Sequence, residues 1–121
     1  MEKTIKTFED LLVWQKGIDL VKEIYLLTKS LEFSKDFAFR YQLRRAAISI
    51  PTNIAEGYER AFRKEYLQFL NFAKGSAGEV RSLLHLGVAI GYIDSKSYEN
   101  LRNSILELSR YLSNLIRSLK G

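Results

Sequence analysis

The chain has 121 residues, with 19 lysines and arginines against 14 aspartates and glutamates for a net charge of +5, one proline and no cysteine. That length suits one domain, 1–121, around a single hydrophobic core. The missing thiols exclude disulfides, thiolate nucleophiles and cysteine-held metals together, and fit a reducing cytoplasm.

No signal-peptide core opens the sequence, MEKTIKTFEDLLVW. A membrane span takes about 20 apolar residues, and the most apolar stretch, Leu83 to Ile93, is interrupted by His85, Gly87 and Gly91. A cytoplasmic protein without a membrane partner is expected. The charge is unevenly spread: residues 1–36 hold 6 Lys/Arg against 7 Asp/Glu, and residues 37–121 hold 13 against 7. A basic surface attracts polyanions, nucleic acid first.

Residues 1–6 are polar and expected to fray. Thr7-Phe8-Glu9-Asp10 places a side-chain cap and an acid three residues later before an apolar run, the signature of a helix start. Leu11, Trp14, Ile18, Val21 and Tyr25 step by three and four, which marks them as the packing seam, with Ile24, Leu27 and Leu31 widening it. This helix is expected over about 8–32. A short turn over Phe33 to Asp36 follows, with Ser34 as cap.

The second helix, about 35–59, carries Leu43, Ala46, Ala47, Ile50 and Ile54 on one face and has Pro51 inside it. Proline removes the N–H that would bond four residues back, so a kink is expected near Ala47. Ser49, Thr52 and Asn53 are placed to satisfy the freed groups, Glu56 to pair with an arginine, and Gly57 to admit a close approach or end the helix.

The third helix, about 63–91, has the cleanest register: Tyr66, Leu70, Ala73, Ala77, Val80, Leu84, Gly87 and Gly91. A second stripe, Phe69, Phe72, Leu83, Leu86 and Ile90, exceeds what a lone bundle needs. Gly75, Ser76, Ala77 and Gly78 form a small-residue patch onto which the second helix is expected to pack. Asp94 or Ser95 then caps a fourth helix, about 95–119, with Leu101, Ile105, Leu108, Leu112, Leu115 and Leu119 as its stripe. Four stripes joined by short turns predict an all-α, antiparallel up-down four-helix bundle with helix 2 kinked at Pro51.

QLRRAAISIPTNIAEGYER at residues 42–60, FEDLLVWQKGIDL at 8–20 and FLNFAKGSAGEV at 69–80 resemble the 23S rRNA intervening sequence protein family of small bacterial four-helix proteins. The likeness covers nearly the whole length and extends to the accessory variability determinant proteins of diversity-generating retroelements. Where the family tends to carry Phe-Pro before its second helix, this chain has Phe33-Ser34. The resemblance implies no catalytic activity, a cyclic homopentamer and, in the retroelement branch, a reverse transcriptase as partner.

Candidate chemistry is sparse. His85, the one histidine, has no carboxylate three or four residues away, and the Glu-x-x-His pairs of di-iron bundles are missing. A carboxylate site from Glu56, Glu59 and Glu79 with Asn53 is outweighed by ion pairing within the bundle. No enzyme, metal or cofactor is expected.

The basic residues remain. Arg40 and Arg44 share a helix face, Arg45 points about 100° away, and Arg60, Arg63 and Lys64 cluster at the far end of helix 2. Arg102, Arg110 and Arg117 line helix 4, with Lys120 beyond them. Guanidinium groups suit phosphate. Phe39, Tyr41, Tyr58 and Phe62 lie among these cations as candidate stacking rings. The expectation is a self-associating protein that contacts RNA or DNA through phosphates, with a protein adaptor as the alternative.

Overall fold

The first helix starts later than its cap signal suggests, because the chain makes one tighter turn first. In the computed structural model, which describes residues 4–30 and 35–121, Asp10 Oδ2 accepts from the backbone N–H groups of Lys6 (2.9 Å) and Thr7 (3.2 Å). A 3-10 turn over Phe8–Asp10 results, and α1 then spans Leu12–Leu27 with Thr28 as its C-cap. The expected 8–32 is thus too long at both ends. The Leu31 position, the Phe33-Ser34 pair and the Ser34 cap lie outside the described residues.

Helix α2 spans Phe37–Tyr58, and its cap is Asp36, whose Oδ1 accepts from the Phe39 N–H at 3.1 Å. Pro51 sits inside this uninterrupted helix. Helices α3 and α4 span Arg63–Ala89 and Ser95–Lys120. Between them Gly91 takes φ +84, which only glycine adopts freely. The Gly91 and Tyr92 N–H groups then reach the carbonyls of Val88 (3.1 Å) and Gly87 (2.8 Å), closing the end of α3. Asp94 caps α4: its two oxygens accept from the Ser97 N–H (2.8 Å) and hydroxyl (2.9 Å), which hold its carboxyl below the usual range.

Among the described residues α1 packs on α2 and α4, α3 packs on the same two, and the backbones of the diagonal pairs lie farther apart. Gly17 meets Pro51 while Thr28 meets Arg44, so numbers rise along α1 as they fall along α2. The protein is an all-α four-helix bundle.

The core follows the predicted register most closely on α3, where Leu70, Ala73, Ala77, Val80, Leu84 and Gly87 are all buried. On α4 the seam runs Leu101, Ile105, Leu108, Leu112 and then Ile116, leaving Leu115 and Leu119 half-buried. A straight 3.6-residue helix drifts off a strict heptad over this length.

On α1 Leu11 and Ile24 are buried as expected, but the rest of the seam is shifted around the helix from the expected one. Val13, Gly17, Leu20, Ile24 and Thr28 are buried, while Trp14, Ile18, Val21 and Tyr25 are only half-covered. Gly17 is the cause. A Cβ there would lie 3.3 Å from Pro51 Cβ, so the bare glycine lets α2 close at this point and turns its own side of α1 inward.

Candidate nucleic-acid interface

The Pro51 segment fastens α2 to both neighbours. Pro51 is buried against Gly17 of α1, and a Cβ on Gly57 would fall 2.7 Å from Phe69 Cβ of α3. Ser49 Oγ shares a 2.7 Å hydrogen bond with Ser76 Oγ across α2 and α3. Asn53 Nδ2 donates to the Ser49 carbonyl (2.7 Å) and to Ser49 Oγ (2.9 Å). The carbonyl that loses its donor to Pro51 belongs to Ala47, four residues back. Asn53 therefore braces the turn before the proline and does not replace the missing bond.

The small-residue patch of α3 divides. Ser76 bonds to Ser49 of α2 and Ala77 is buried, whereas Gly75 and Gly78 are exposed, with nothing within 4 Å of a Cβ built on either. The expected packing of α2 onto all four residues is thus corrected: each glycine lies about 100° around the helix from the nearer of Ser76 and Ala77 and about 150° from the middle of that pair.

On the outer side of α2, toward α1, lies a groove of about 690 Å³. Its floor is a stripe the sequence contains at helical spacing, Phe37, Tyr41, Arg44 and Ile48, with Tyr25 of α1 opposite and Arg40 and Arg45 beside it. Asp36 sets the start of this wall: besides capping α2, its Oδ2 accepts from the Tyr92 hydroxyl at 2.9 Å, tying α2 to the α3–α4 turn.

Each arginine is held differently. Arg44 Nε donates to Thr28 Oγ1 at 2.7 Å, and its guanidinium carbon lies 4.2 Å from the Tyr25 ring centre. Arg40 sits 4.9 Å from the Phe37 ring centre, and Arg45 is exposed. Among the described residues no carboxylate lines the groove, and none of the three arginines is within ion-pair distance of one. Glu79, beside Arg45 in a neighbouring depression, accepts instead from Gln42 at 2.6 Å.

The model of the family described as 23S rRNA-intervening sequence protein matches residues 9–114. The chain belongs to the 23S rRNA-intervening sequence protein family. Among solved structures, a protein described as of unknown function, from the S23 ribosomal protein family of Bacteroides thetaiotaomicron VPI-5482, is similar at 27% identity and a TM-score of 0.79, over 87% of this chain and 98% of that one. No curated protein matches the chain.

In this member of the intervening sequence protein family the predicted cations fall into three places. Arg40, Arg44 and Arg45 share the groove. Arg60, Arg63 and Lys64 sit about 20–30 Å farther along α2 and at the start of α3. Arg60 is committed there, paired with Glu56 (3.0 Å) and Glu65 (3.4 Å) and stacked 4.9 Å over Phe69, while Arg63 and Lys64 are exposed. Arg102, Arg110 and Arg117 are exposed on α4, the helix diagonal to α2, and Arg117 donates to Asn114 Oδ1 at 3.3 Å.

The predicted rings also divide. Phe39 packs on Tyr92 (5.8 Å) and Tyr58 on Tyr66 (5.9 Å), both against the core. Burial pushes the Tyr66 hydroxyl up to about 12. Phe62 is exposed at the cap of α3, and only Tyr41 lines the groove. Phe37, Tyr25 and Ile48 escape a search for rings among cations, although the steps 37, 41, 44, 48 carry the signal. His85 is exposed, 3.3 Å from the Tyr98 hydroxyl. Among the described residues no three His, Cys, Asp or Glu gather to hold a metal, and no helix is long and apolar enough to cross a membrane.

Proposed function

We propose that this protein is a non-enzymatic, self-associating bundle that binds nucleic acid through phosphate contacts centred on the α1–α2 groove. The observation that carries this is the convergence of Arg40, Arg44 and Arg45 on one surface, with no carboxylate among the described residues that line it. Guanidinium forks match phosphate oxygens, and arginines without acid partners keep their field for a ligand. The polar groups around Pro51 and Glu56 bond one another or Arg60, which supports structural over catalytic duty.

Self-association has its own support. Phe72, Leu86 and Ile90 stay exposed along α3 beside the open Gly75 and Gly78, and a second apolar depression lies between Trp14, Ile18 and Val21 of α1 and Ile48 and Pro51 of α2. Covering such faces drives assembly, and the ring of five copies implied by the family resemblance would repeat each arginine groove around an axis. The same uncovered α3 face supports the alternative, an adaptor docking onto a protein such as a reverse transcriptase. Fluorescence anisotropy with a labelled structured RNA tests the primary reading: binding that weakens steeply with salt supports it, and no binding at low salt refutes it in favour of the adaptor.

A further inference from the structure

We propose that the α1–α2 groove is a subsite for an unpaired nucleobase with its phosphate, which makes single-stranded nucleic acid the preferred ligand over duplex. This rests on the nucleic-acid reading above and adds a specificity that charge alone does not give.

Phosphate contact alone needs only accessible cations, and the exposed arginines of α4 are that as well. The groove differs in having rings at its mouth. Phe37 and Tyr41 are 69% and 67% exposed, one helical turn apart on α2, and the apolar flank of Ile48 continues their line. Large exposed aromatics at this spacing bury little within the chain.

A base offers them a flat, polarisable face, whereas a duplex keeps its bases stacked inside and shows such a surface only sugar and phosphate. The opposite wall suits the same ligand. Thr28 and the Tyr25 ring hold the Arg44 guanidinium in place before anything binds, so little ordering remains to be done there. Arg40, 4.9 Å from the Phe37 ring centre, and Arg45 line the same groove and would meet the phosphate of a nucleotide whose base is stacked there. At about 690 Å³ the groove is within the size range of small-molecule sites.

The test is anisotropy with four labelled chains: a short single-stranded RNA, an abasic ribose-phosphate chain of equal length, the RNA as a duplex, and the same sequence as single-stranded DNA. The RNA strand is expected to bind about tenfold more tightly than the abasic chain, as stacking of one base supplies, and more tightly than the duplex. The DNA strand should bind within a few-fold of the RNA strand. A large preference for ribose would overturn an assignment to base and phosphate. Tyr41→Ala should lose the base-dependent advantage while abasic binding stays unchanged, and the ring-free but bulky pair Phe37→Leu with Tyr41→Leu should lose that advantage too.

Both residues are exposed, so circular dichroism should show these variants folded. Equal binding of the abasic chain and the RNA strand by the wild type overturns the subsite and leaves the phosphate reading intact. Failure of all four chains to bind at low salt overturns both.

Discussion

Arg44 Nε donates to Thr28 Oγ1 over 2.7 Å, joining a guanidinium at the groove surface to a hydroxyl that is fully buried at the end of α1. Thr28 in turn donates to the Ile24 carbonyl at 2.8 Å, so the arginine is anchored to the backbone of α1 through one side chain. By residue type alone Arg44 groups with freely replaceable surface cations. Its position makes it part of the fold as well.

That anchor predicts an ordering of stabilities. Thr28→Val keeps the shape but leaves the Arg44 Nε–H without its partner, and should cost about 1 kcal/mol. Arg44→Gln also gives up the Tyr25 stack and should cost about the same or more, whereas Arg45→Gln, on an exposed residue, should stay within about 0.5 kcal/mol of the wild type. Urea unfolding measures all three.

The glycines should behave oppositely according to what faces them. Gly57→Ala drives a methyl toward Phe69 Cβ at 2.7 Å, and overpacking costs about 1–3 kcal/mol against a helix-propensity gain of about 1. Gly75→Ala and Gly78→Ala meet nothing within 4 Å in one chain and should each raise its helix stability by up to about 1 kcal/mol. Thermal unfolding that ranks Gly57→Ala with Gly75→Ala would show this packing to be misassigned.

Much of this architecture is legible in sequence because leucine and isoleucine report burial reliably. The α3 seam is read residue for residue from Leu70 to Gly87. The misread α1 seam has a physical origin in Gly17 and Thr28, buried residues that no apolar stripe counts. Gly17 is buried because a proline of another helix rests on it, and Thr28 because it serves an arginine 16 residues away. The proposed site is half legible in the sequence: the arginines are visible by type, but Arg60 shows itself as ion-paired only when Glu56 and Glu65 are seen to converge on it. The groove needed Tyr25 from a different helix.

Exposed α3 residues lead to a prediction about assembly. Light scattering on the wild type should report a mass several times that of one chain, and Phe72→Glu with Leu86→Glu should reduce it toward the monomer while helicity is kept, since both side chains are half or nearly half exposed. A mass unaffected by the pair would move the interface to another face, with the Trp14 and Ile18 depression next to test.

Acid should act on two carboxylates held below their usual range. Glu107 is lowered chiefly by the hydrogen bond from Lys16, and Asp94 by bonds from the Ser97 N–H and hydroxyl. A lowered carboxyl contributes stability above its unfolded pKa and loses it as pH falls through the folded one. Stability should therefore decline as pH drops below about 4.5, the ordinary glutamate value, and Glu107→Gln should flatten that decline. Lys16 is raised by the same bond, so its share is present below 10.5 and lost above it. An unchanged acid arm in urea titrations of Glu107→Gln would rule out this pair as a source.

The central claim is that the α1–α2 groove is where phosphate is met, and the slope of log affinity against log salt tests it most directly. For a single-stranded RNA the slope becomes shallower by about 0.7 for each phosphate that is no longer neutralised. Arg40→Gln with Arg45→Gln should make it shallower by about that amount per arginine removed and weaken binding, whereas Arg102→Gln with Arg110→Gln should change it less. A slope unmoved by the groove pair, or moved as much by the α4 pair, would contradict the account and leave the groove without a ligand.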